Sequence, residues 1–474
     1  MKKNIEQSIV NLFEESRGDQ LVRTELIPPS GSYRQYIRLI GEKETVMGVY
    51  NADKKENNAF ITFSRHFKSK GLPVPTILAV DDSQDIYLQD DFGDTMLFDY
   101  IQDEREGDHF PDSLILILKK TIKELIRFQI EGGKGLDYSK AYPRAAFDKQ
   151  SMMWDLNYFK YYFLKLAKVP FDEQLLEDDY LKFTDYLLQA PDDYFLYRDF
   201  QSRNVMLKDG EPKFIDYQGG RKGALPYDLA SLLYDAKADF PQTVRDELLA
   251  YYLDELSSYK QVDIKAFKTY YYGYVLIRKM QAMGAFGFRG FYEKKVHFLQ
   301  SIPYALRDLR EVLPHLNFSV KLPELLAALN RVCESEFLNS VGLVDDDKLK
   351  VSIQSFSYRR GFSANGFVFD CRMIDDPVDD NRFEENHFKP EFLSSFFTEG
   401  TGMPAFLKSV CHTVDFAIER SKKQNAKQME VSFGCVGGQH RSVYAAEYLA
   451  KYIEGKYDIE IDLKHLEPGS VKTL

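Results

Sequence analysis

Three residues in one stretch have the types and the spacing for group transfer. Asp199 is followed five positions later by Asn204 and, after twelve more, by Asp216, within Tyr194–Asp228 (YFLYRDFQSRNVMLKDGEPKFIDYQGGRKGALPYD). A carboxylate near a hydroxyl can orient and deprotonate it. An amide oxygen and a second carboxylate are hard donors, suited to Mg2+ bridging the phosphates of ATP. A lone D-x-x-x-x-N arises easily by chance. The same motif between two hydrophobic strands, with a second Asp ending the next strand, does not. The pattern predicts phosphoryl transfer from ATP, with Asp199 as base and Asn204 and Asp216 holding Mg2+.

Those groups need a scaffold on both sides. After an amphipathic helix over residues 4–17, three strand-like segments run near 21–28, 33–40 and 45–50. The turn between the first two, Pro28-Pro29-Ser30-Gly31-Ser32, is small enough for backbone N–H groups to approach phosphates, so Ser30, Gly31 and Ser32 are nucleotide-binding candidates. Lys55–Ser69 predicts a helix with Phe60, Phe63 and Phe67 on one face, followed by strands near 77–80 and 86–89. Gln89 and Asp90 then lie where a lobe-connecting hinge would touch a nucleotide. Asp91-Phe92-Gly93 spells D-F-G but precedes Asp199 by 108 residues, on the wrong side to be a metal site following the catalytic loop.

From Met96 to Pro191 the pattern is helical, with the stripe Phe159, Tyr162, Phe163 and Leu166 expected in the core. Helices resume after Asp228 through about Val312. Pro323 opens one more, predicted over 324–337. The composition then shifts at Asp345-Asp346-Asp347. Leu349, Val351 and Ile353 alternate with polar residues as a half-buried strand, residues 366–369 suit a buried strand, and Met429–Phe433 suits another. That last strand runs into Gly434-Cys435-Val436-Gly437-Gly438-Gln439-His440-Arg441-Ser442 and a helix. A glycine-rich strand-to-helix turn aims N–H groups and the helix dipole at an anion, with Arg441 available to clamp it. The spacing from Cys435 to Arg441 is also C-x5-R, the phosphate loop of cysteine phosphatases.

Composition narrows the field. The 474 residues exceed one core and are 44% hydrophobic, as in ordinary globular domains. No run of 18 apolar residues predicts a membrane span, and the start lacks the apolar segment of a secretory signal. Four widely spaced cysteines are neither a disulfide framework nor a zinc set, which points to the cytoplasm. The net charge of −11 divides as −10 over residues 1–347 and −1 over 348–474, with no basic surface for non-specific nucleic-acid binding.

Arg198-Asp199-Phe200-Gln201-Ser202-Arg203-Asn204, Ile215-Asp216-Tyr217-Gln218-Gly219-Gly220 and Pro226-Tyr227-Asp228-Leu229-Ala230 together resemble the aminoglycoside phosphotransferase and choline kinase superfamily over most of residues 20–310. They look closest to the AmgK-type kinases of N-acetylmuramate and N-acetylglucosamine, and Ser32–Arg38 and Phe298–Tyr304 support that subgroup. The resemblance implies an α+β, protein-kinase-like bilobal fold: a small β lobe (1–93) and a helical large lobe (94–340). Asp228 would anchor the catalytic loop and Arg198 would brace it. Val46-Met47-Gly48-Val49-Tyr50 lacks the usual strand lysine, which leaves Glu56, the helix acid, without its expected partner.

After a linker at 341–347, residues 348–474 resemble the C-terminal domain of the RNase adapter RapZ. The loop from Gly434 to Val443, Phe367–Arg372 and Phe356–Gly361 carry the likeness. This implies a small α/β domain with a strand-loop-helix anion-binding turn. Its phosphosugar site would be built from Cys435, Val436, Gly437, Gly438, His440, Arg441 and Ser442, with glucosamine-6-phosphate as the family's ligand. Two alternatives stay open at this point: an RNA-binding regulatory adapter with a scaffold kinase domain, and a bifunctional kinase–cysteine phosphatase using Asp375 or Asp376 as acid. The partners expected are a small-molecule sugar substrate, a phosphosugar and, on the adapter reading, RNA, with no membrane.

Overall fold

A computed structural model describes residues 3–28, 34–259, 263–341, 349–360, 366–380, 390–399, 401–423 and 428–467. The chain divides into two compact units, Met1–Leu343 and Val344–Leu474. The first begins with a helix over Lys3–Arg17 and a five-stranded antiparallel sheet. Its strands are β1 (Leu21–Leu26), β2 (Gln35–Gly41), β3 (Thr45–Tyr50), β4 (Ile77–Val80) and β5 (Ile86–Asp90), in the order β1-β2-β3-β5-β4. The helix Lys54–Ser69 is inserted between β3 and β4. Asp53 caps it by accepting from the N–H groups of Lys55 and Glu56, satisfying two donors that the first turn would otherwise leave open. Phe60, Phe63 and Phe67 are buried along its inner face, as their spacing requires. Each such ring contributes about 2–3 kcal/mol on burial.

The rest of this unit is helical around two short hairpin-like ladders. β6 (Tyr194–Leu196) pairs with β9 (Arg221–Gly223), and β7 (Val205–Lys208) pairs with β8 (Glu211–Phe214), both antiparallel. Asp199 and Asn204 lie between β6 and β7, and Asp216 lies between β8 and β9. An aromatic cluster underlies these loops. Phe67 meets Phe128, Phe195 and Tyr217 with ring centroids 4.9–5.4 Å apart, and Tyr197 meets Phe200 at 5.1 Å. Gly220 has no room for a side chain, because a Cβ there would come within 2.4 Å of the Phe195 ring.

Two expectations for the helices need revision. The stripe at 159–166 splits: Phe159 and Phe163 are fully buried, whereas Tyr162 and Leu166 are 36% and 39% exposed. The helix Lys149–Phe159 passes into a π turn over Lys160–Leu164, which shifts the register, and Tyr162 packs at the surface against Tyr158 and Phe288. The helix predicted over 324–337 is two, Pro323–Glu334 and Glu336–Ser340, because Ser335 leaves the helical conformation and caps the second.

The second unit is built on a four-stranded parallel sheet, β10 (Lys350–Ser357), β11 (Phe367–Asp370), β12 (Gln428–Cys435) and β13 (Glu460–His465), in the order β11-β12-β10-β13. Helices Met403–Lys423 and Arg441–Glu454 supply its crossovers. Val351, Ile353, Val431 and Phe433 are buried in its core. Residues Phe367 and Val368 are each 37% exposed, so β11 is an edge strand rather than the buried one its apolar sequence suggested. Connections leave the adjacent strands β10 and β12 in opposite directions. Parallel sheets open a ligand-sized crevice at the carboxyl ends of strands at such a switch.

Candidate active site and a candidate anion-binding turn

The catalytic stretch is held from behind by one buried carboxylate. Asp228, fully buried in the helix Pro226–Leu233, accepts hydrogen bonds from the backbone N–H groups of Tyr197 (2.7 Å) and Arg198 (2.9 Å). Burial pushes its carboxyl up to about 7, and the two N–H bonds act against that rise. Arg198 adopts φ 82°, a left-handed conformation that costs a non-glycine residue on the order of 1 kcal/mol. The strain is offset by a bidentate pair with Asp155 (2.6 and 2.8 Å), a bond to the Tyr227 hydroxyl and packing between the rings of Phe147 and Tyr227. Asp199 is the residue this bracing presents.

Asn204 is fixed to the same loop. Its Nδ2 donates to the Asp199 carbonyl at 2.8 Å, which leaves its amide oxygen as the donor atom for a cation. Ser202 steadies the turn by donating from Oγ to Asp235 at 2.7 Å. Asp216 also has a left-handed backbone, φ 68°. Its loop is tied to the scaffold by Tyr197 Oη donating to Ile215 O (2.6 Å) and by the Tyr217–Ser64 hydroxyl contact (2.6 Å). Desolvation pushes the Asp216 carboxyl above its ordinary value, Arg34 opposes this, and Asp199 and Glu56 add to the rise. Asp199 and Glu56 lie near enough to Asp216 to raise its carboxyl, and carboxylate and amide oxygens are the hard donors that suit Mg2+ when phosphate oxygens complete the shell. Among the described residues no group of three or more His, Cys, Asp or Glu side chains is arranged to hold a metal unaided.

Glu56 is not without a partner. Arg34, 3% exposed just before β2, places Nη2 3.2 Å from Glu56 Oε1 and Nη1 3.7 Å from Asp216 Oδ1, over the Phe60 ring. Asn51 donates to Glu56 Oε2 (2.8 Å), and Gln218 donates to both Asp216 (2.7 Å) and Glu56 (3.3 Å). The third strand supplies no cation to Glu56; the residue just before β2 does. Arg34 and Gln218 escape a motif that expects a lysine at one strand position; the only signal is an Arg following Tyr33, two residues past the Ser-Gly-Ser turn.

The remaining candidates fall out unevenly. Ser30, Gly31 and Ser32 lie outside the described residues. Gln89 is buried on β5, and its Oε1 has no hydrogen-bond partner among the described residues. Asp90 accepts from Thr76 N–H at 2.9 Å and sits 3.7 Å from Lys68, so its side chain serves the β4 edge. Asp91 is clamped by Arg38, with Nε 2.6 Å from its Oδ2, as suits the hinge of the D-F-G decoy rather than a metal site.

In the second unit the loop after β12 is shaped by its glycines and by Ser357. Gly438 has φ +72°, and a Cβ there would lie 2.9 Å from Ser357 N, so neither the conformation nor the space admits a side chain. Gly438 N–H donates to Cys435 Sγ (3.1 Å), Ser442 Oγ lies 3.2 Å from the same sulfur, and Ser357 Oγ donates to the Val436 carbonyl (2.7 Å). Arg441, 5% exposed, donates to the carbonyl of Ile374 (2.9 Å) and pairs with Asp376 (2.5 Å). It thus ties the loop to the segment after β11. His440 stands at the helix N-cap, and Gly437 faces open space, with room for a side chain on its outer side.

The sequence profile of the phosphotransferase enzyme family matches residues 25–262, half of the 474-residue chain. The chain belongs to this family. Its first unit has the protein-kinase-like fold, with the small sheet and the helical lobe that the motifs implied. Residues 349–467 match the RapZ C-terminal domain, so a phosphotransferase domain and a RapZ-type domain share one chain. A nucleotide-binding protein of Thermosipho africanus is 29% identical over 116 residues, 24% of this chain and 42% of that protein. Another, of Xylella fastidiosa strain M12, is 30% identical over 195 residues, 35% of this chain and 63% of that protein. The chain therefore spans less than two thirds of the length of either curated relative. Solved structures that resemble it include a choline kinase of Cryptosporidium parvum (14% identity, 65% of this chain and 98% of that one, TM-score 0.45). The choline kinase LicA of Streptococcus pneumoniae is similar at 12% identity, 66% and 100% coverage, and TM-score 0.44. No helix among the described residues is long and apolar enough to cross a membrane.

Proposed function

We propose that the phosphotransferase unit moves the γ-phosphoryl group of Mg-ATP to a hydroxyl of an amino sugar of the N-acetylmuramate and N-acetylglucosamine class, and that the RapZ-type unit binds a phosphosugar. The reading rests most on the bracing of Asp199 and Asn204 through Asp228 and Arg198, with Asp216 held on its own loop by Tyr197, Gln218 and Arg34. Asp199 orients the acceptor hydroxyl and takes its proton as the oxygen attacks the γ-phosphorus. The new P–O bond forms while the bond to the β,γ-bridging oxygen breaks, and ADP leaves. Asn204 and Asp216 would hold Mg2+, which when bound neutralises phosphate charge. Arg34 stands beside Asp216 as a fixed cation for the same phosphates, in place of a strand lysine.

The domain limits that go with this reading are 1–93 and 94–340 for the two lobes, 341–347 for the linker and 348–474 for the phosphosugar-binding unit, in a cytoplasmic protein. ADP release from the full chain across a panel of amino sugars with Mg-ATP tests it. Turnover on at least one, abolished in Asp199→Ala, is expected; turnover retained in Asp216→Ala would sink the assignment.

A further inference from the structure

A cavity of about 230 Å³ opens beside the catalytic carboxylate, and its lining includes Asp199, Arg203, Asp235, Lys237, Arg278 and His297. Three basic side chains line the cavity with two carboxylates, and both carboxylates have other work: Asp199 faces the reacting hydroxyl, and Asp235 accepts from Ser202. Arg278 is the most telling. It is 5% exposed, and its hydrogen-bond partners are the Ser231 hydroxyl (2.9 Å) and the Gln281 amide oxygen, both neutral. No carboxylate pairs with it among the described residues. A guanidinium taken out of water without a counter-charge costs several kcal/mol, and folded proteins seldom carry that cost without a use.

The neighbouring groups repeat the pattern. Arg203 rests on the Phe98 ring, 4.3 Å from its centroid, with no ion-pair partner among the described residues. Burial and Arg203 lower the Lys237 ammonium, which Asp235 opposes only in part, and burial with Lys237 and Arg203 lowers the His297 imidazole. A lysine and an imidazole lowered by burial and by neighbouring cations mark a place short of negative charge.

We propose that the acceptor taken at Asp199 carries an anionic group, a carboxylate or a phosphate, which Arg278, Lys237 and Arg203 hold. The proposal rests on the phosphotransferase reading for the word acceptor, and on the cavity alone for the anion. Carboxylate and phosphate both suit guanidinium forks. A positive pocket of this kind raises the encounter rate with an anion and disfavours cationic amines such as free amino sugars.

The test uses the full chain with three probes: N-acetylmuramate (carboxylate), N-acetylglucosamine 6-phosphate (phosphate) and neutral N-acetylglucosamine. Each is measured by ADP release with Mg-ATP and by titration calorimetry with a non-hydrolysable ATP analogue present. At least one anionic probe is expected to exceed the neutral one by about tenfold or more in kcat/KM and in affinity. Arg278→Gln should raise the KM of that probe about 10- to 100-fold, the value of one lost charged hydrogen bond, and move the neutral probe less than threefold. Arg203→Gln and Lys237→Gln, outside the buried core, should act in the same sense and serve if Arg278→Gln does not fold. Equal handling of the neutral and both anionic probes, or losses in the variants that are the same for all three, would overturn the proposal. Anion-selective binding without ADP release from any probe would retire the phosphotransferase reading while leaving the anion site standing.

Discussion

The two loops that carry the candidate sites of this chain are held in place by opposite means. In the phosphotransferase unit, the groups that matter are charged side chains on loops, and their geometry depends on buried ionic support: Asp228 under two backbone N–H groups, Asp155 under Arg198, Arg34 between Glu56 and Asp216. In the RapZ-type unit, the loop after β12 offers backbone, and its shape depends on Gly438 and on hydroxyl and sulfur contacts. A group that must take a proton or hold a metal needs a carboxylate aimed to a fraction of an ångström. Recognising an anion needs only N–H groups presented at a helix start. The first arrangement should therefore fail through single charges, and the second through loss of loop shape.

The largest effect tests the first half. Asp199→Ala and Asp216→Ala are each expected to lower kcat by about a thousandfold or more, measured as ADP release at saturating acceptor. Binding of a phosphosugar by calorimetry should stay within experimental error in both. A common loss at both sites would mean that the two sites are coupled.

Arg34 gives the next effect. Arg34→Met removes a nearly buried cation from between two carboxylates and should lower kcat/KM for ATP by about 100-fold. Arg34→Lys should recover part of that, since the ammonium keeps the charge but loses the fork. An Arg34→Met enzyme with wild-type ATP kinetics would make the Glu56–Arg34–Asp216 chain a purely structural tie.

Asp228 adds a pH signature. Its carboxyl is held up at about 7 in the fold, against the ordinary carboxylate value near 4 in the unfolded chain. The folded state keeps the proton longer, so the unfolded state binds fewer protons between those values and stability falls as pH rises through that window. The slope from this one group approaches about 1.4 kcal/mol per pH unit in mid-window and vanishes above the folded value. In Asp228→Asn the slope is removed. The stability of the wild type relative to this variant, from urea melts, should therefore be greatest near pH 4 and decline toward pH 7. A constant difference across that range would contradict the burial argument.

Much of this was legible in the sequence, for identifiable reasons. The five strands, the inserted helix and the Asp199–Asn204–Asp216 spacing all follow local rules of period and motif, and each is found where those rules put it. What was hidden depends on tertiary placement. Arg34 is adjacent in sequence to a turn and acquires its meaning only when the sheet brings it to Glu56 and Asp216. The exposure of Tyr162 depends on a π turn, which no apolar period announces. Phe367 and Val368 read as buried because they are apolar, whereas burial on a parallel sheet is set by rank in the strand order. Arg278, mid-helix in an apolar run, gave no signal at all until the cavity beside Asp199 was seen.

The smallest expected effect discriminates best at the second turn. Cys435 sits in a C-x5-R frame, and a cysteine phosphatase requires its thiolate as nucleophile and its arginine turned into the loop. Here the contacts of Sγ with Gly438 N–H and Ser442 Oγ are ones a thiolate would also accept, but Arg441 is turned to the Ile374 carbonyl and to Asp376, the acid such an enzyme would need. A serine hydroxyl can accept the same N–H with little change in volume. Cys435→Ser should therefore change phosphosugar affinity less than about threefold, under 1 kcal/mol, whereas Gly438→Ala should weaken it tenfold or more through lost loop shape. Hydrolysis of p-nitrophenyl phosphate should be at background in the wild type as in Cys435→Ser. A rate lost on that single substitution would show that the sulfur reacts, and the contrast between a turn that transfers and a turn that recognises would no longer hold.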